Sequence, residues 1–151
     1  MNFEKSNDHW SQYWEYGTLT SLPQDFIVNY DGELADFWSQ ILIQEPAETT
    51  IVDVCTGNLA LPLLFSQLNE MSKKQMTLLA VDLAKIDKRL IAERHKAMAS
   101  WLENIQVLDE TAIEDIATKI TQPVNLITSQ YGLEYCDTEA IAPQLVALLK
   151  P

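Results

Sequence analysis

Cysteine is scarce in this chain, and so is positive charge. Two cysteines, Cys55 and Cys136, stand among 151 residues. They lie far apart in sequence and lack the paired spacing of a disulfide framework or a zinc site. No apolar run approaches the ~20 residues that cross a bilayer. The opening from Met1 to Ser11 is polar and acidic, unlike a secretory signal. These absences lead to the expectation of a soluble chain in a reducing, cytoplasmic compartment, with no membrane partner. Internal repeats and low-complexity stretches are missing too. Lys and Arg number 10 against 22 Asp and Glu, a formal charge of −12, and up to Ser72 the one basic residue is Lys5. Such a field repels polyanions, which speaks against a nucleic-acid partner and suits a neutral or cationic small molecule. A local basic group at Lys85, Lys88, Arg89, Arg94 and Lys96 reads as the solvated face of a helix. His9 and His95 have no partners at ligand spacing, so no metal site is expected.

What is present is ordinary for one globular domain: 47% hydrophobic and 21% charged residues. Four short apolar runs recur, at Thr50 to Val54, Leu78 to Val81, Ile105 to Leu108 and Val124 to Thr128. Runs of this length without polar alternation fit strands buried on both faces. Helical spacing fills the intervals, from Leu59 to Leu68, Ile86 to Glu103, around Ile113 to Ile120, and Thr138 to Leu149. Strand and helix alternate, which predicts an α/β fold: a Rossmann-like three-layer sandwich around a short, mainly parallel sheet of about four strands. Ahead of it, Asp31 to Gln44 carries Leu34, Phe37, Trp38, Ile41 and Leu42 as a helical stripe, stopped by Pro46. Earlier still, Trp10, Tyr13, Trp14 and Tyr16 crowd a polar segment. Packing against the main domain explains them; a lid of rings over a ligand is the sharper alternative. Residues 1–46 are thus expected as a helical, lid-like segment and residues 47–151 as the Rossmann-like part, together one domain.

Two stretches carry the chemistry. In Ile51-Val52-Asp53-Val54-Cys55-Thr56-Gly57-Asn58-Leu59-Ala60, a strand meets an acid, a turn with a glycine, and a helix. Ligands of doubly wound folds sit outside the carboxyl ends of strands, where a glycine lets backbone approach and helix N-terminal amides face outward. In Leu79-Ala80-Val81-Asp82-Leu83, an acid ends the second strand, where a carboxylate can hold ribose hydroxyls or cap the next helix. Asp53 and Asp82 on consecutive strands would share one rim and suit an adenosine-type ligand.

Asp53-Val54-Cys55-Thr56-Gly57-Asn58 resembles the first motif of class I S-adenosylmethionine-dependent methyltransferases, in the variant with Cys at the first glycine. Ser129-Gln130-Tyr131-Gly132-Leu133-Glu134-Tyr135 resembles their segment after the fourth strand, and Leu148-Leu149-Lys150-Pro151 the start of their "LLKPGG" turn. Tyr13-Trp14 and Gly17-Thr18-Leu19-Thr20-Ser21 resemble the lead segment of one bacterial branch. The resemblance implies a transferase with S-adenosylmethionine as cofactor and a small-molecule acceptor. Asp53 would orient the methionine amino group, and the backbone at Cys55, Gly57 and Asn58 would approach methionine and ribose. Asp82 would hold the ribose hydroxyls, with Leu83, Thr111, Ala112 and Ile113 around the adenine. Ser129 and Gln130 would border the sulfonium; Tyr13, Trp14, Tyr131, Glu134 and Tyr135 would face the acceptor. Alignment and exclusion of water suffice for much methyl transfer, so no catalytic residue is assigned.

Two departures shape the alternatives. Leu59 stands at the loop's third glycine, where its side chain either obstructs the cofactor or enters the helix–sheet interface. The chain also stops at Pro151, where the family continues through three further strands. The fourth strand is then expected as an open edge, favouring self-association. A truncated, non-catalytic relative that binds cofactor weakly or serves as an interaction module is the second reading. A nicotinamide-dinucleotide binder is the third, disfavoured because G-x-G-x-x-G is absent.

Overall fold

The computed structural model describes residues 3–149; Lys150 and Pro151 of the expected closing turn lie outside the described residues. Helix α1 (Phe3–Trp14) leads through an irregular stretch to α2 (Gly32–Gln44), β1 (Glu48–Val54), α3 (Ala60–Ser72) and β2 (Gln75–Val81). Next come α4 (Lys88–Arg94), a 3-10 turn at Lys96–Met98, α5 (Ala99–Leu102) and β3 (Ile105–Leu108). A second 3-10 turn (Ile113–Asp115) runs into α6 (Ile116–Lys119); β4 (Leu126–Thr128), a third 3-10 turn (Leu133–Tyr135) and α7 (Thr138–Leu148) complete the order. The strands form one sheet in the order β3-β2-β1-β4, and every pairing is parallel. The expected Rossmann-like α/β fold is what the chain adopts.

Alternation along the strands feeds two cores. Ile51, Leu78, Ala80 and Ile105 pack on one face with Trp38, Leu42, Phe65, Ile91 and Leu102 from the helices. Val52, Val54, Leu79 and Val81 pack on the other with Ile113, Ile116, Ile120, Ile141 and Leu148. Burial of both faces is why these strands read as unbroken apolar runs.

The structure moves several boundaries. β1 and β2 begin earlier than their apolar runs, because the ladder continues through the pair Glu48 and Gln75. Backbone pairing does not require apolar side chains. β4 begins later, at Leu126, opposite Ile51. Its approach is not bare: Val124 forms a parallel bridge with Leu149. The single helix expected over Ile86 to Glu103 is broken at His95, whose backbone leaves the helical region. Asp87 caps α4 by accepting from the Arg89 and Leu90 amides, and His95 Nε2 lies 2.8 Å from the Gly17 carbonyl oxygen. That tertiary bond holds the ring toward the N-terminal segment. The basic group is not wholly solvated either, since Lys88 Nζ donates to the Ile105 carbonyl at 2.8 Å. Among the described residues no helix is long and apolar enough to cross a membrane.

Candidate functional site

In an open parallel sheet the crevice forms where the strand order reverses. Here β1 lies between β2 and β4, so the reversal falls at the carboxyl ends of β1 and β4. Asp53 pairs in register with Thr128 on β4. The Thr128 hydroxyl donates to Asp53 Oδ1 at 2.7 Å. Asp53 is 3% exposed. Burial pushes its carboxyl up to about 7, opposed by the hydroxyls of Thr56 and Thr128 and supported by the negative charge of Asp82. The two acids therefore share one neighbourhood, as expected from their strand positions.

Beyond Val54 the chain turns tightly, and Cys55, Gly57 and Leu59 all take left-handed backbone, with φ of 55°, 54° and 67°. Two of the three carry side chains, a strain that packing must hold in place. Leu59 does so by burying its side chain completely in the first core. Of its two expected positions, the interface is the one observed. Leu59→Gly is therefore expected to lower stability by about 2 kcal/mol, a core truncation of 2–5 partly offset by relief of the left-handed strain. Chemical denaturation would measure it, and unchanged stability would show that Leu59 does not anchor the turn.

Asp82 closes the turn from the second strand. Its Oδ2 accepts the Gly57 amide at 2.7 Å and its Oδ1 the Ala84 amide at 2.8 Å. Burial raises this carboxyl above the usual range, against the pull of the Gly57, Ala84 and Leu83 amides. The capping alternative read from sequence goes to Asp87, not Asp82. Asp109, beyond β3, accepts the Ile86 amide at 3.1 Å, and the Thr111 amide donates to the Asp82 carbonyl at 3.0 Å. Leu83 and Ala112 are half-buried beside them, whereas Ile113 packs into the second core.

The N-terminal segment lies directly on this turn. A Cβ on Gly57 would fall 2.3 Å from the Trp14 ring. Glycine is thus required here by an indole of the same chain, where sequence reasoning expected room for a ligand. Asn58, 2% exposed, donates its amide to the carbonyls of Trp14 and Thr18 at 2.9 and 2.8 Å. Trp10 stacks beside Trp14 and meets Tyr135 edge-on at 5.0 Å. Tyr13 packs edge-on against Trp14.

On the β4 side, Ser129 Oγ is buried without a hydrogen-bond partner among the described residues. Gln130 Oε1 accepts the Trp38 indole N–H at 2.9 Å, so that side chain is already engaged. Tyr131, at φ 58°, lies 6.2 Å from the Tyr30 ring, while Glu134 and Tyr135 are exposed. Tyr30 is a neighbour that the sequence did not mark; burial, then the charges of Asp53 and Tyr131, raise its hydroxyl pKa. Thr128 was missed as well, although aligning the strands at their carboxyl ends would have found it. Among the described residues no group of three metal-ligating side chains converges.

Solved structures that share this fold include two bacterial proteins. The YcgJ protein from Bacillus subtilis is 16% identical with a TM-score of 0.55, over 77% of this chain and 45% of that one. YjhP from E. coli is 16% identical with a TM-score of 0.53, over 81% of this chain and 46% of that one. At this identity the likeness concerns the fold alone. The chain spans less than half the length of either structure. No protein-family model and no curated protein matches the sequence.

Proposed function

We propose that this chain is the cofactor-binding part of a class I S-adenosylmethionine-dependent methyltransferase that acts on a small molecule. The observation that carries the reading is the Gly57 turn held by Asp82 at the point of strand reversal, with Asp53 buried behind it. The Rossmann-like fold shared with YcgJ and YjhP supports it, as does the motif resemblance.

The residues fit such a ligand in chemistry. Asp53 and Asp82, once ionised, would favour a cation, and each Asp82 oxygen has a second lone pair for a ribose hydroxyl. Ser129 Oγ, buried and unpartnered, would gain a partner at the sulfonium end. Leu83, Thr111 and Ala112 would border the adenine. Trp14 and its neighbour Tyr13, with Tyr135 against Trp10, would face the acceptor together with Tyr131 and Glu134. The cofactor would supply the transferable methyl group; this chain's residues bind, orient and exclude water. Ring and ligand cannot both lie on Gly57, so binding requires the Trp14 indole to turn aside. A cytoplasmic setting belongs to the same reading.

Titration calorimetry with S-adenosylmethionine, S-adenosylhomocysteine and NADH tests it. Heat from the first two alone is the expected result. Heat from NADH alone would overturn it in favour of a dinucleotide binder, and silence from all three in favour of an interaction module.

The protonation of Asp53 adds a pH signature. Its folded pKa of about 7 lies above the unfolded value near 4, so the fold favours the neutral acid. That stabilisation is fully present below pH ~4 and is lost as pH rises towards 7, by at most roughly 4 kcal/mol. Asp53→Asn should flatten this part of the stability profile. A slope unchanged in the variant would show that Asp53 is not its source. Binding of a cationic ligand should strengthen over the same interval, because the ligand selects the ionised carboxylate.

A further inference from the structure

We propose that Cys55 and Cys136 form a reversible disulfide that ties the turn after β1 to the segment after β4. Eighty-one positions separate them in sequence, yet their sulfurs lie 3.6 Å apart. Sequence spacing alone gave no sign of this pairing. Three features bring it about. Cys55 takes left-handed backbone in the turn after β1, and from there its side chain reaches Cys136. Gly132 leaves the room: a Cβ there would fall 2.3 Å from Cys55 Cβ and 3.2 Å from its carbonyl oxygen. The 3-10 turn at Leu133–Tyr135 then doubles back, its end fixed by the Cys136 amide donating to the Leu133 carbonyl at 3.0 Å.

Both cysteines are half-buried, so a small oxidant can reach them. A bond of about 2.05 Å needs the sulfurs to close by roughly 1.5 Å, a movement that one short turn and two side-chain rotations can supply. The oxidant is a low-molecular-weight disulfide. The Cys136 thiolate attacks one of its sulfurs and forms a mixed disulfide, expelling one thiol. Cys55 then attacks the Cys136 sulfur and expels the second. Two protein thiols lose two electrons and two protons, and one small disulfide becomes two small thiols. Burial keeps both protein thiols protonated above their usual range, aided at Cys136 by Glu114, Asp82 and Glu134 and opposed there by Cys55. The reaction should therefore be slow at neutral pH and accelerate about tenfold per pH unit while the attacking thiol remains protonated.

The proposal does not depend on the methyltransferase reading, and its test uses no cofactor. The full chain is equilibrated with oxidised glutathione, quenched with an alkylating reagent and weighed intact. The expected product is a monomer with no alkylated thiol and no glutathione adduct. Its Tm should lie on the order of 10 °C above the reduced form, and dithiothreitol should reverse both changes. Cys136→Ser should hold glutathione on Cys55 or leave that thiol free, with no rise in Tm. Two thiols still alkylated in excess oxidant, a protein carrying two glutathione adducts, or disulfide-linked dimers would each overturn the pairing.

Discussion

Asp82→Ala is expected to lower stability by about 2–4 kcal/mol and, on the proposed reading, to abolish binding of S-adenosylmethionine. The carboxylate accepts the Gly57 and Ala84 amides at 2.7 and 2.8 Å. Removing it leaves both donors without a protein partner, at about 1–3 kcal/mol for each one kept from water. Asp82 is half-buried, so water restores part of that loss, and the lower half of the range is expected. Asp82→Asn should fall between, because its amide keeps one acceptor but sets a donor against one of the two N–H groups. Urea denaturation and calorimetry measure the two effects separately. Wild-type stability in Asp82→Ala would show that the carboxylate does not hold the turn. Wild-type affinity would refute its place at the ribose.

The second large effect is expected at Gly57. Its φ of 54° already disfavours any side chain, by about 1–2 kcal/mol. An added methyl would also meet three Trp14 ring atoms at 2.3, 2.7 and 2.8 Å, so the indole must leave its place. Gly57→Ala should therefore lose about 3 kcal/mol or more, the strain plus part of the aromatic packing. Tryptophan fluorescence should shift to the red as Trp14 meets water. In a Trp14→Ala background the same substitution should cost only the backbone strain. The two changes would then be non-additive by more than 1 kcal/mol. Additive effects would show that ring and glycine do not touch.

Much of this architecture was legible because its signals are local. Ile51 to Val54 and Leu78 to Val81 announce buried parallel strands by composition, and Asp53 and Asp82 declare their rim by position alone. What stayed hidden depends on contacts between distant segments. Nothing near Gly57 in sequence names Trp14 as its neighbour, forty-three positions upstream. The break at His95 follows from a bond to Gly17, invisible in a stretch whose apolar spacing reads as continuous helix. Tyr30 sits in irregular chain without periodicity, and its approach to Asp53 comes only from the packed fold. Cys55 and Cys136 are the clearest case, adjacent in space although no spacing rule connects them.

The double grip of Asn58 on the carbonyls of Trp14 and Thr18 limits how the space above Gly57 can be vacated. While that amide holds, the main chain at Trp14 is tethered, and lifting the segment from Trp14 to Thr18 away would break two partly buried bonds at once. Rotation of the indole about its own χ angles breaks neither. Exposure of the Gly57 backbone would then follow the rapid clock of rotamer exchange and leave the slower one of segment detachment unused.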